Sequence, residues 1–212
     1  YVDKQEEYFQ NYAKEFTDMP FLVILEQNND GYTPGRFLRA SDLGLETVNG
    51  DWKPVLWDRG KKSPAIPNGT IGQRWDGTGQ WNIKMENETG EGLSPLLTFL
   101  GEEDEQICIN LPEFAEDSTG IVKRGIPVKM IMKNGKLLRF TTVFDLMLAQ
   151  YGVARNLPGD YPENYDDEQT YTPSWQKKYT NVESEIVIQI AREFAQNAAD
   201  TKGRSMIIMG AG

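Results

Sequence analysis

Apolar residues recur along this chain at two spacings, one helical and one extended. In residues 2–16, Val2, Phe9, Tyr12, Ala13 and Phe16 fall near one face of a 3.6-residue period. Asp3, Lys4, Glu6, Glu7 and Lys14 fall elsewhere, so the spacing predicts a helix, which Pro20 ends. Residues 21–25 form an unbroken apolar run, the pattern of a strand covered on both faces. From residue 28 to about 135 apolar runs are short and turn signals are dense, among them Asn29-Asp30-Gly31, Pro34-Gly35 and Asn49-Gly50. Strands are predicted there over 36–39, 54–57, 81–85 and 106–111. A hairpin follows, 127–132 and 136–141, because Asn134-Gly135 supplies the positive φ angles of a tight type I′ turn.

The last third returns to helical spacing. A helix is expected over 142–151, with Gly152 just past its end in the left-handed cap position. Residues 153–170 read as an acidic loop. Thr172 and Pro173 then have the chemistry of an N-cap and a first helical position, Trp175 faces inward, and Asn181 ends the short helix. Ser184 is expected to cap a helix running to about Ala199, with Ile186, Ile190, Phe194 and Ala198 as its apolar stripe. Gly203 breaks the chain before an expected strand, 204–209, that runs into Gly210-Ala211-Gly212.

Charge and composition narrow the chemistry. The formal net charge is -10, which disfavours nucleic acid as a partner, since phosphate binding needs a basic face. The sequence has no apolar run near 18 residues, so no membrane insertion is expected. One cysteine, Cys108, excludes an internal disulfide. It alternates with Ile107 and Ile109 and reads as a buried structural thiol. The absence of histidine removes the commonest general base and metal ligand, so no catalytic residue and no metal ligand is assigned. Glu102-Glu103-Asp104-Glu105 and Asp166-Asp167-Glu168 read as solvated acidic turns. The helix–strand–glycine ending admits two readings: a tight turn at a strand end, or a loop whose lack of Cβ lets a cofactor approach the backbone.

Several collinear segments carry a resemblance. They include 17–23 (TDMPFLV), 35–43 (GRFLRASDL), 67–75 (PNGTIGQRW), 79–82 (GQWN), 141–146 (TTVFDL), 171–175 (YTPSW), 190–195 (IAREFA) and 203–212 (GRSMIIMGAG). Together the chain resembles an internal piece of the catalytic α subunits of membrane-bound respiratory nitrate reductases, within the molybdopterin oxidoreductase superfamily that includes dimethyl sulfoxide reductases. Residues 171–212 resemble the whole superfamily, whereas the long excursion after Pro20 resembles the nitrate reductase branch. Asn181 departs from the family pattern, in which relatives usually carry Gly.

The resemblance implies an α/β fold: a helix-flanked, mostly parallel sheet portion formed by 1–27 and 136–212, with a β-rich, loop-rich insertion over 28–135. It implies nitrate reduction in the parent, at a molybdenum bis-molybdopterin guanine dinucleotide centre with a 4Fe-4S cluster, and none of these bound to the isolated segment. Partners implied are an iron–sulfur electron-transfer subunit and a membrane cytochrome b subunit, which would hold the parent peripherally at the cytoplasmic face of the membrane. The cofactor-binding residues carried over are Gly210, Ala211 and Gly212. Two other readings stand beside this one: a non-catalytic protein-binding module, and the same segment of a nitrite-oxidising relative.

Overall fold

The computed structural model describes residues 7–45, 47–69, 84–113 and 120–208. Helix α1 (Glu7–Phe16) leads into strands β1 (Leu22–Asn28) and β2 (Gly31–Phe37), then a 3-10 turn at Ala40–Leu43. Short strands β3 (Leu56–Asp58) and β4 (Ser63–Ala65) form a separate two-stranded sheet. Strands β5 (Glu105–Pro112), β6 (Ile121–Lys133) and β7 (Lys136–Thr142) follow, then helices α2 (Val143–Gln150), α3 (Pro173–Thr180) and α4 (Ser184–Thr201). No described helix is long and apolar enough to cross a membrane.

The strands close a barrel in the order β1-β2-β5-β6-β7, with β7 returning to β1. Every pairing but one is antiparallel; β2 meets β5 in parallel at Tyr32 and Ile109. The expected helix-flanked, mostly parallel sheet is therefore overturned. The physical reason is connection length. Asn29-Asp30 joins β1 to β2 and Asn134-Gly135 joins β6 to β7, and two-residue turns make antiparallel neighbours, whereas parallel ones need a crossover of roughly a dozen residues. Asn134 and Gly135 take φ of 50° and 74°, as the type I′ turn requires. Strands β1 and β7 flank the 28–135 segment in sequence, and they share this barrel with β2, β5 and β6 from within it.

The apolar run at 21–25 is covered on both faces by core clusters. Phe140 and Met130 lie on opposite faces of the wall, since Phe140 pairs with Lys129 and neighbouring residues alternate. The Phe140 face gathers Leu22, Leu38, Val55, Trp57 and Phe99, with Trp57, Phe99 and Phe140 in mutual ring contact at 5.8–6.1 Å. The Met130 face gathers Leu25, Ile107, Ile109, Ile126 and Val128 beneath Ala149 of α2. A third cluster seats α1 on α2 through Ala13, Phe144 and Leu148.

Other expectations fare unevenly. Thr142 caps α2 through the Asp145 N–H, and Gly152 beyond it has φ 78°. Thr172 caps α3 through the Trp175 N–H, Pro173 takes the first turn, and Asn181 closes it at φ 56°. Trp175 is half-buried between Tyr171 and Tyr179. In α4 the cap position falls to Glu183, one residue before Ser184. Only Lys84 and Met85 of the strand expected over 81–85 are described, and neither lies in a strand. Cys108 is exposed, not buried: β5 alternates, so Ile107 and Ile109 turn inward and the thiol turns out.

Candidate functional site

The cofactor-facing residues expected from sequence, Gly210, Ala211 and Gly212, lie outside the described residues. The approach to them is described. Helix α4 ends with Lys202 in the left-handed region, and the Gly203 N–H donates to the Ala198 carbonyl at 2.6 Å. The Ser205 hydroxyl donates to the Phe194 carbonyl at 3.0 Å and accepts from the Asn197 amide at 2.7 Å. These bonds tie the first residues after the helix back onto its last turns. Met206, Ile207 and Ile208 then run free of the sheet at 75–81% exposure, so the described part of the expected strand 204–209 pairs with nothing described here.

The apolar stripe of α4 is also uncovered. Ile186, Ile190 and Phe194 are 49%, 61% and 39% exposed, and none joins a core cluster.

The other chemistry-bearing groups are structural. Thr17 donates to the Ala13 carbonyl at 2.6 Å and accepts from the Met19 N–H, while the Asp18 carbonyl accepts from the Phe21 N–H, so both shape the exit from α1. In the acidic turn, Glu102 pairs with Arg59, Asp104 with Lys129 and Glu105 with Arg139. Its carboxylates are thus divided among separate cations instead of converging on one ion. Among the described residues no group of three or more His, Cys, Asp or Glu side chains is placed to hold a metal.

Two buried charge sites were not anticipated. Asp145, fully buried at the start of α2, accepts from Thr98 Oγ1 (2.5 Å), the Phe99 N–H (3.0 Å), Thr142 Oγ1 (3.0 Å) and Arg155 Nη1 (2.9 Å). Burial raises its pKa, a loss of hydration that Arg155, the Thr98 hydroxyl and the Phe99 N–H oppose. Arg124, buried in β6, donates to the carbonyls of Ala149, Gln150 and Asp160 and lies over the Tyr161 ring. It thereby binds the end of α2 to the 153–170 loop, where Gly159 at φ 123° approaches so closely that a Cβ would sit 2.5 Å from the Lys123 carbonyl. The Thr142-x-x-Asp145 spacing is a capping signal visible in the sequence. Nothing local marks Arg124 or Arg155 as buried.

No family model matches the chain. Its full length aligns with known proteins all the same. It is 49% identical over 213 residues to the nitrate reductase alpha chain of Bacillus subtilis, covering 100% of this chain and 17% of that one. It is 40% identical over 228 residues to the respiratory nitrate reductase 1 alpha chain of Escherichia coli, and 41% over 218 residues to the nitrate reductase alpha subunit of Mycobacterium tuberculosis. The chain is homologous to one segment of nitrate reductase alpha chains. It spans less than a fifth of the length of these relatives, 17–18%.

Proposed function

We propose that this chain is a segment of a respiratory nitrate reductase catalytic subunit, in which it supplies scaffold and one cofactor-facing loop. The observation that carries this reading is homology that covers the whole chain at 40–49% identity to alpha chains from three organisms. In the parent the reaction is reduction of nitrate to nitrite at a molybdenum bis-molybdopterin guanine dinucleotide centre, with a 4Fe-4S cluster and an iron–sulfur subunit delivering electrons from a membrane cytochrome b subunit. The bound group supplies the two-electron chemistry. This chain's share is narrower: Gly210, Ala211 and Gly212 offer close backbone approach and amide donors, with no proton transfer. Residues 28–135 are proposed as the part specific to the nitrate reductase branch, and the parent as peripheral to the cytoplasmic face of the membrane.

Two experiments test this. The isolated chain is expected to carry no molybdenum and to reduce no nitrate with a reduced-dye donor; turnover by the chain alone overturns the reading. In the full-length protein, Gly210→Val is expected to lower pterin content and nitrate reduction together while the protein still accumulates. Unchanged pterin content removes the loop from the cofactor site. Neighbouring coding sequence with a cysteine-rich motif upstream and an Asn-His soon after Gly212 supports the parentage, and its absence counts against it.

A further inference from the structure

A hollow of about 510 Å³ opens where the end of α2, the 153–170 loop and the start of α3 meet. Tyr151, Tyr165 and Tyr171 line it, with Pro162, Glu163 and Asn164. Tyr151 and Tyr165 are more than half exposed, and Tyr151 meets Tyr171 edge-on at 5.2 Å. Tyr171 is held at φ 74°, a region that a bulky side chain occupies only when its surroundings enforce it. The enforcing contacts are visible: Gln150 Nε2 donates to the Tyr171 hydroxyl at 3.4 Å, and the ring packs between Tyr151 and Trp175.

The rim is stapled as well as strained. The Asp167 carboxylate accepts from the Glu163 N–H, Asn164 Oδ1 from the Asp166 N–H at 2.8 Å, and the Tyr165 carbonyl from the Ser174 N–H at 3.3 Å. Residues 160–168 hold five acids in nine residues and no Lys or Arg, so the rim is strongly negative. Glu163, Asp166 and Glu168 are exposed, and none of them pairs with a cation among the described residues. That contrasts with the acidic turn at 102–105, three of whose carboxylates have found cations within the chain. Arg124 lies near the floor below Gly152, but it is buried, with Nε and Nη1 on backbone carbonyls and Nη2 donating to Gln169 Oε1 at 3.5 Å.

We propose that this groove docks a cationic side chain, an arginine or lysine carried on an extended segment of a partner protein. Tyrosine faces attract a cation through the ring quadrupole, and unpaired carboxylates at the rim steer it and set its orientation. Charge complementarity selects this occupant. A second copy of the chain carries the same net charge of -10 and is repelled by the rim, as is any phosphate-bearing ligand.

The test uses the 212-residue chain and two probes, an acetylated Gly-Arg-Gly-Arg-Gly amide and the same peptide with Gln for Arg, titrated by NMR at low salt. Saturable binding of the arginine peptide is expected, with shifts in the tyrosine ring signals and no saturation by the glutamine peptide. Tyr165→Leu is expected to weaken binding on the order of 5-fold, and Glu163→Gln by a few-fold. Both side chains are exposed, and Glu163→Gln is isosteric, so folding is checked by an unchanged melting curve and either variant suffices. Equal affinity for the two peptides overturns the proposal, as does affinity unchanged in both variants. Self-association abolished by Tyr165→Leu also overturns it, in favour of a second copy.

Discussion

The barrel with its helices α1 and α2, and the arm formed by α3, α4 and residues 202–208, both carry amphipathic sequence but resolve it in opposite ways. The barrel places Leu22, Leu38, Phe99, Ile109, Ile126 and Phe140 at or near zero exposure. The arm buries no large apolar side chain, and in α4 only Ser184 is buried. An amphipathic helix gains most of its stability from the surface its stripe meets, and the α4 stripe meets none among the described residues. Order in the arm therefore rests on local devices: the Thr172 cap, the left-handed residues Asn181 and Lys202, and the Ser205 tether. The lesson is that the two regions should respond differently to the same kind of substitution. The nitrate reductase alpha chains that this chain resembles are much longer, and it spans 17–18% of their length.

The largest expected effect lies in the barrel. Phe140→Ala removes a ring fully enclosed by Trp57 and Phe99 and should cost roughly 3–5 kcal/mol. Urea titration followed through tryptophan fluorescence measures it, and a loss under 1 kcal/mol would mean that this cluster is not the core. Asp145→Ala follows closely. It leaves the Arg155 side chain, 3% exposed, as an uncompensated buried charge, for which about 3–5 kcal/mol is expected in the same assay. A double variant Asp145→Ala, Arg155→Met recovering much of the loss would identify the stranded charge as the cause.

Smaller effects separate the regions further. Thr172→Ala should cost about 1 kcal/mol of local helix stability in the arm, seen as faster amide exchange in α3 with the barrel's exchange unchanged. If barrel amides exchange faster too, the arm and barrel unfold as one unit. Asp42 tests pH dependence. A bidentate hydrogen bond from Arg36, at 2.6 and 2.7 Å, lowers its pKa. A carboxylate lowered in the folded state stabilises above its unfolded pKa, and that contribution disappears as pH falls through the folded value. The Arg36 partner is exposed and screened by solvent, so Asp42→Asn should cost only about 0.5 kcal/mol at pH 7 and nothing once pH is below the folded pKa. A loss that is the same at pH 7 and pH 2 would assign the effect to the shape of the 3-10 turn instead. The smallest effect belongs to Ile190→Glu on the uncovered stripe: within about 0.5 kcal/mol in the isolated chain. In the full-length parent the same change should lower the melting temperature by several degrees, and failure to do so would leave the stripe exposed there as well.

What the sequence determined by itself is local. The Asn134-Gly135 turn, the Thr142 and Thr172 caps, Pro173 in the first turn, Gly152 after α2 and Asn181 closing α3 all follow from a few adjacent residues whose φ preferences and hydrogen bonds need no distant partner. Homology to nitrate reductase alpha chains was legible for a related reason, since it resides in short motifs. Tertiary structure decided which surface each apolar residue meets. The run at 21–25 is buried on both sides in either a parallel sheet or a barrel, so only the pairing of β1 with β7, over a hundred residues away, distinguishes them. Cys108 turns outward because of its register opposite Gly125, and Arg124 and Arg155 become buried because distant carbonyls and a carboxylate converge on them. The uncovered face of α4 shows the limit most plainly: a helical period states that a face must be covered, and only the tertiary structure shows that nothing described here covers it.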